Sequence, residues 1–209
     1  MEIFRMSKVI RIGVLGCANI AQRYILPAIS KSSFFELAGV ASRSKEKADS
    51  FARTFNTSAY YNYESLLESN LDAIYIPLPN GLHYEWIKKS LNKNLHVLVE
   101  KSLACNLDEV KELNLLAKNN GLVLMENFQF KFHKQFKFIQ DKVNQGYLGE
   151  IKLLRSSFGF PPFEDKDNIR YQKAIGGGAL LDAGAYTIKV SQLFLGSEIY
   201  IDSASLDKP

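Results

Sequence analysis

From Val9 to Asn127 short apolar runs alternate with segments whose apolar residues recur three and four apart, and few folds satisfy that alternation. "VIRIGVLG", "FELAGVAS", "LDAIYIPLP", "HVLVE" and "LVLMEN" read as strands, the third stopped by Pro77 and Pro79. Between them, "NIAQRYILPAIS", "SKEKADSFARTF", "HYEWIKKSL" and "NLDEVKELNLLAKNNG" read as helices. Ala48, Phe51, Ala52 and Phe55 make one apolar stripe; Trp86, Ile87 and Leu91 make another; Val110, Leu113, Leu116 and Ala117 make a third. Asn106 and Glu109 stand in capping-box positions, and Gly121 is the stop. Strands separated by helices predict an α/β fold, a parallel sheet wrapped by helices.

After about Asn127 the pattern changes. A helix is predicted from about His133 to Asn144, ended by Gly146, and "EIKLLRSSFGF" has strand-like content. A Pro/Asp loop, a glycine-rich segment and a further helix, "YTIKVSQLFLG", follow. The expected organisation is a dinucleotide-binding domain over residues 1–127 and an incomplete α+β domain, with a mostly antiparallel sheet, over 128–209. "EIYIDSASLDKP" starts one more strand, which leaves that sheet short of the strands a covered sheet needs.

Charge and cysteine usage exclude several function classes. The net charge of +4 is spread along the chain without a basic block or an aromatic-studded basic stripe, which argues against nucleic acid as partner. Cys17 and Cys105 lack CxxC or Cys/His spacing, so neither a disulfide framework nor a metal site is expected. No run reaches the ~18 apolar residues of a membrane span, and the head of the chain lacks the apolar core of a signal peptide. A cytoplasmic protein without membrane contact is the expectation.

Chemistry concentrates where strands end. In "GVLGCANIA", Gly16, Ala18 and Ala21 occupy the three small-residue places of a G-x-G-x-x-G/A turn. The turn as a whole, with Cys17, Asn19 and Ile20, is a candidate pyrophosphate cradle at a helix start; a strand-to-helix turn that merely packs well would read the same. The second strand ends in Ser42 and Arg43, where an acidic residue would favour NAD. A hydroxyl and a guanidinium suit a 2′-phosphate, hence NADP(H), against the alternative of a solvated basic turn. The next strand ends place Pro77, Leu78, Asn80 and His83, then Glu100 and Lys101, then Asn127, at the carboxyl edge where open α/β sheets bind ligands.

"AIGGGALLDAGAY" raises a separate question. If a helix begins after Gly178, Asp182 and Tyr186 lie four apart on one face, either as a functional pair or as part of an ordinary helix behind a glycine turn.

Taken together, "RIGVLGCANIA", "PLPNGLHYEWI", "HVLVEKSL", "LVLMENFQF" and "RYQKAIGGGALLDAGAYTIKVSQLFLG" resemble, in order over residues 10–196, the glucose-fructose oxidoreductase/inositol dehydrogenase (Gfo/Idh/MocA) family. Within it they are most similar to the nucleotide-linked deoxysugar 3-ketoreductases. The family's Glu-Lys-Pro lysine falls on Lys101, with Ser102 in place of proline, and Tyr186 stands where many sugar dehydrogenases carry histidine. The resemblance implies a Rossmann domain and an NADP(H)-dependent enzyme that reduces a keto group of a nucleotide-activated deoxysugar. Hydride comes from the nicotinamide and a proton from Tyr186, whose phenol of pKa ~10 Lys101 would tune. It implies that Asp182 orients Lys101 or the sugar. Arg170 and Tyr171 would contact the nicotinamide or the substrate's diphosphate, or else hold the loop. The alternatives it leaves are an NADP-dependent dehydrogenase of free sugars or dihydrodiols and a truncated, non-catalytic cofactor-binding protein. Family members run further, so the C-terminal part is expected to lack strands that complete the substrate wall and the interface of a homo-oligomer.

Overall fold

The computed structural model describes residues 8–205; most of the head of the chain and the last letters of "EIYIDSASLDKP" lie outside them. The expected strands form as β1 (Ile10–Leu15), β2 (Phe35–Ala41), β4 (Ala73–Ile76), β5 (His96–Val99) and β6 (Leu124–Glu126). A three-residue edge strand, β3 (Ser58–Tyr60), adds a sixth. All pair in parallel in the order β3-β2-β1-β4-β5-β6. That order reverses direction between β1 and β4, the place where doubly wound sheets open a crevice at their carboxyl edge.

The helices follow from caps and stripes. A π turn (Ala21–Ile25) leads into α1 (Leu26–Lys31), whose Pro27 stands in the first turn, where its missing N–H costs nothing. Ser44 Oγ accepts from Lys47 N–H at the start of α2 (Lys45–Phe55), and Asn62 Oδ1 from Ser65 N–H at the start of α3 (Tyr63–Leu67). Beyond α4 (Asn80–Asn92), Asn106 Oδ1 accepts from Glu109 N–H as expected for α5 (Leu107–Asn119), while Glu109 reaches back to the N–H of Cys105. Gly121 follows with φ +65°.

The core lies on both faces of the sheet, and strand alternation decides which side each residue serves. Ile74 and Ile76 face α3, α4 and α5, packed with Leu66, Trp86, Ile87 and Leu91. Ala73 and Tyr75 face α1 and α2, packed with Leu26, Ile29 and Phe51.

Beyond β6 come α6 (Lys134–Asn144) and, after a π turn (Leu180–Gly184), α7 (Ala185–Leu195). The antiparallel sheet expected there is absent among the described residues: "EIKLLRSSFGF" and Ile199–Ile201 take no strand pairing. Strand-like composition expresses a half-buried pleated surface, and without a hydrogen-bonded neighbour no ladder forms. Among the described residues no helix is long and apolar enough to cross a membrane, and no cluster of His, Cys, Asp and Glu has the make-up of a metal site.

Candidate functional site

A cavity of about 980 Å³ opens along the carboxyl edge of the sheet. Its floor begins at Gly16, which has φ +115°; a Cβ there would stand 2.8 Å from Leu78 Cδ2. The positive φ requires glycine, and the missing side chain lets the main chain run close to whatever lies above it. Cys17, Ala18, Asn19 and Ile20 continue this wall, whereas Ala21 is fully buried in the core beneath it. Burial pushes the Cys17 thiol up to about 11, so it stays neutral in the turn.

The next stretch of wall is basic. Ser42 and Arg43 line it, with Ser44 and Lys47 from the start of α2. The Ser42 hydroxyl accepts from the N–H of Ser44, which shapes this turn before the helix. The lining carboxylates are Glu100 and Asp182, which stand with Lys101 rather than at this basic turn. Lys47 was open to sequence reading as the first-turn lysine of "SRSKEK", one helical turn beyond Arg43.

Pro77, Leu78 and Asn80 supply the following wall, and here the glycine-rich segment crosses over. Asn80 Nδ2 donates to the carbonyl of Gly176 at 3.0 Å. A Cβ on Gly176 would lie 2.7 Å from Gly81 N, and one on Gly81 would lie 2.8 Å from the carbonyl carbon of Ile175. Two facing glycines thus let the segment that precedes α7 sit directly on the start of α4. His83, expected at the cavity, is instead fully buried behind its wall, with Nδ1 and Nε2 each 2.7 Å from a carbonyl, of Ser102 and Leu78 respectively. It ties the 77–79 turn to the loop after Lys101.

That crossing delivers Asp182 to Lys101. Lys101 Nζ donates to Asp182 Oδ1 at 2.5 Å and to the Asp182 carbonyl at 2.9 Å, while Ser102 Oγ donates to the carbonyl of Leu181 at 3.1 Å. Arg170 Nε donates to the other carboxylate oxygen, Oδ2, at 2.8 Å. The Lys101 and Asp182 side chains are only 12% and 16% exposed, so water screens this pair little. The Lys101–Ser102 peptide is cis.

Glu100 is fixed from behind by the strands on either side of β5. The Tyr75 hydroxyl and Asn127 Nδ2 both donate to Glu100 Oε1 at 2.7 Å. Asn127 therefore acts through Glu100 and does not itself line the cavity. Tyr75 was not legible as a site residue: it reads as one more apolar letter of β4.

Tyr186 lines the cavity beside Lys101, whose ammonium lies 5.1 Å from the ring centroid. Burial first, then the carboxylates of Glu100 and Asp182, raise the phenol's pKa above its ordinary 10.0, with Arg170 opposing. Sequence analysis expects Lys101 to tune this phenol; in the structure the Lys101 ammonium is hydrogen-bonded to Asp182, and the upward shift comes from desolvation of the ring and the two carboxylates. The same phenol consequently stays protonated at neutral pH. The remaining wall, Phe158, Phe160, Phe163 and Ile169, comes from the loop between α6 and the glycine-rich segment.

Comparison with known proteins agrees with this arrangement. A family model described as "Oxidoreductase family, NAD-binding Rossmann fold" matches residues 10–128, and one described as "GFO/IDH/MocA C-terminal domain" matches 136–208. A dTDP-3,4-didehydro-2,6-dideoxy-alpha-D-glucose 3-reductase from Streptomyces violaceoruber is 44% identical over 95% of this chain and 58% of its own length. D-xylose 1-dehydrogenase (NADP(+)) 2 from Haloferax volcanii is 35% identical over 93% of this chain and 60% of its own. The crystal structure of a 3-ketoreductase from Actinomadura kijaniata in complex with NADP and TDP-benzene superposes with a TM-score of 0.86 at 44% identity, covering 90% of this chain and 57% of that one. The chain thus spans less than two thirds of the length of these relatives. With its dinucleotide-type turn, the Lys101–Asp182 pair and the glycine-rich crossing all in the family's order, the chain belongs to the GFO/IDH/MocA oxidoreductase family.

Proposed function

We propose that this chain carries the cofactor site and the proton-donating group of an NADPH-dependent ketoreductase acting on a nucleotide-activated keto-deoxysugar. The observation that carries the reading is that Tyr186, Lys101 and Asp182 open onto the same cavity as the Gly16 turn and the Arg43/Lys47 wall. The residues fit the cofactor. Gly16, held at φ +115°, lets the main chain of the turn approach a pyrophosphate, and the turn after β2 brings Arg43, Lys47 and the Ser42 hydroxyl to an extra phosphate. The relatives named above as an NADP(+) enzyme and as an NADP complex point the same way.

NADPH, when bound, supplies the hydride to the sugar carbonyl carbon. The chain's own residues then serve the oxygen. As charge develops on it, Tyr186 donates its phenolic proton, which burial has kept in place. Lys101 has three N–H donors, two of them committed to Asp182, and the third is left for the same oxygen or for a ribose hydroxyl. Its positive charge favours both the alkoxide and the phenolate left behind. Asp182 holds Lys101 and Arg170 in register, and Glu100, braced by Tyr75 and Asn127, presents a carboxylate to the cavity.

The division into residues 1–127 for the cofactor and 128–209 for substrate and subunit contacts belongs to the same reading, as does a mostly antiparallel sheet in the second part. Its support is the separate matches to a cofactor-binding family model and a C-terminal family model. Oxidation of free sugars with NADP is the second reading, favoured by the likeness to the xylose dehydrogenase. Assays of a nucleotide-linked ketosugar with NADPH against free aldoses with NADP separate the two. Turnover of free aldoses alone would overturn the first.

A further inference from the structure

His83 faces one acceptor more than a neutral imidazole can serve. It is fully buried near the start of α4, with the Leu78 carbonyl 2.7 Å from Nε2 and the Ser102 carbonyl 2.7 Å from Nδ1. A neutral ring has one N–H to donate and one lone pair, so it serves one of these oxygens and repels the other; only the imidazolium donates to both. The other two histidines are used in the opposite sense. His96 Nδ1 accepts from the N–H of Val123, and His133 Nδ1 from that of Gln135.

The two oxygens belong to segments that build the cavity. Leu78 lies against the Gly16 turn, where a Cβ on Gly16 would stand 2.8 Å from Leu78 Cδ2. Ser102 follows Lys101, and its Oγ donates to the carbonyl of Leu181, next to Asp182. When the ring is neutral, its single proton belongs on Nε2. The Leu78 contact is buried and the Ser102 contact only partly so, and a carbonyl within reach of water loses less when its donor goes. We propose that His83 is the positioning residue of the Lys101 loop, a clamp that holds Ser102 to Leu78 when both ring nitrogens carry a proton and releases Ser102 when Nδ1 loses its own. Burial lowers the pKa of His83 below 6.5, the two carbonyls pull against it, and the Lys101 ammonium lowers it further. The charge of Lys101 is met by Asp182, with Glu100 at the same wall; Glu126, from β6, engages the N–H of Leu103, and the first turn of α4 carries no acidic residue. The clamp is therefore closed on the acid side of pH 6.5 and half open at neutrality. Closure joins the Gly16 turn to Lys101, so protonation of His83 and binding of the cofactor favour one another. This coupling rests on the cofactor reading of the cavity given above.

The test needs no sugar substrate. Nitrogen NMR of the imidazoles, on the whole chain with its three histidines, reads each ring proton directly. At about pH 5 His83 should show two N–H groups, and toward about pH 8 it should lose Nδ1–H and keep Nε2–H. A ring that keeps one charge state across this range, or a neutral ring protonated at Nδ1, would overturn the clamp. His83→Gln places a donor near the position of Nε2 and none at Nδ1, which fixes the open form at every pH. Wild type should bind NADP about fivefold more tightly than this variant at about pH 5, the contribution of one hydrogen bond, and equally at about pH 8. Taking the ratio of the two proteins cancels titration of the cofactor's own phosphates. A ratio that does not change with pH would overturn the proposal and leave the cofactor site standing, whereas a wild type that binds no NADP at either pH would overturn both. The spectrum of the wild type decides the charge state even if the variant does not fold.

Discussion

Lys101 Nζ grips Asp182 twice, through the side-chain oxygen at 2.5 Å and the main-chain oxygen at 2.9 Å, across 81 positions of sequence. The double contact fixes both the charge and the path of the π turn that leads into α7. Removing the carboxylate leaves Lys101 without its buried counterion and Arg170 without its partner on Oδ2. Because both side chains open onto the cavity, Asp182→Ala should cost about 1–3 kcal/mol of unfolding free energy, the range for leaving a hydrogen-bonded group without its partner. Asp182→Asn, which keeps an acceptor but loses the charge, should cost less yet still lower turnover. Denaturant unfolding of both variants beside wild type decides this, and an unchanged midpoint for the alanine variant would refute the counterion role.

Tyr186 packs against Phe128, Phe130 and Phe158 at 5.9, 5.9 and 5.1 Å, contacts that phenylalanine would keep. Tyr186→Phe should accordingly leave the fold and NADPH binding intact and reduce ketosugar turnover by about 10²–10⁴-fold. The raised phenol pKa fixes the pH dependence as well. A donor whose pKa lies above 10.0 is fully protonated at and below neutrality, so ionisation of Tyr186 should depress the reduction rate only above pH 10. A limb near pH 7 that disappears in Tyr186→Phe would contradict this assignment.

The basic wall makes a prediction about cofactor choice. Arg43 and Lys47 line the cavity after β2, whereas the carboxylate of this turn, Glu46, accepts from the Ser44 hydroxyl and does not line the cavity where the ribose hydroxyls of NAD would be received. Replacing both with alanine should weaken NADPH by tenfold or more, since a hydrogen bond to a charged group contributes about 1.5–3 kcal/mol. NADH should be affected little. Fluorescence titration of the double variant with each nucleotide measures the ratio, and a parallel loss for both would mean that the wall is structural.

The helical and apolar periods of residues 10–127 were legible because each strand there has its partner and each helix its sheet face within the same stretch. β3 and α3 were not, since three and five residues are too short for a period to show and the Asn62 cap is a local signal. "EIKLLRSSFGF" failed for the opposite reason: its composition suits a strand, but composition does not supply a neighbouring strand. At the site, strand ends located the cavity without fixing side-chain direction. Glu100 and Lys101 point in, whereas His83 and Asn127 turn to carbonyls and to Glu100 behind the wall. The aromatic wall of Phe158, Phe160 and Phe163 was not legible because its placement depends on how an irregular loop folds.

Glu126 ends β6 beside a second, smaller cavity, and its Oε1 accepts from the N–H of Leu103 at 2.8 Å. Burial raises its pKa above 4.5, against the opposing pull of that N–H and of Lys189, Lys131 and Lys101. A raised value means that the folded state holds the proton more firmly than the unfolded chain. The stability this contributes is complete below pH 4.5 and is lost as pH rises through the folded-state value. Above pH 4.5 this buried carboxyl is therefore a liability. Glu126→Gln keeps an oxygen for Leu103 and carries no charge, so it should raise the melting temperature at pH 7 to 8 by at most about 2–4 °C. At pH 4, where the wild-type carboxyl is itself protonated, the gain should vanish. Thermal melts of the two proteins at both pH values provide the measurement; an equal gain at each would assign the effect to packing and not to ionisation.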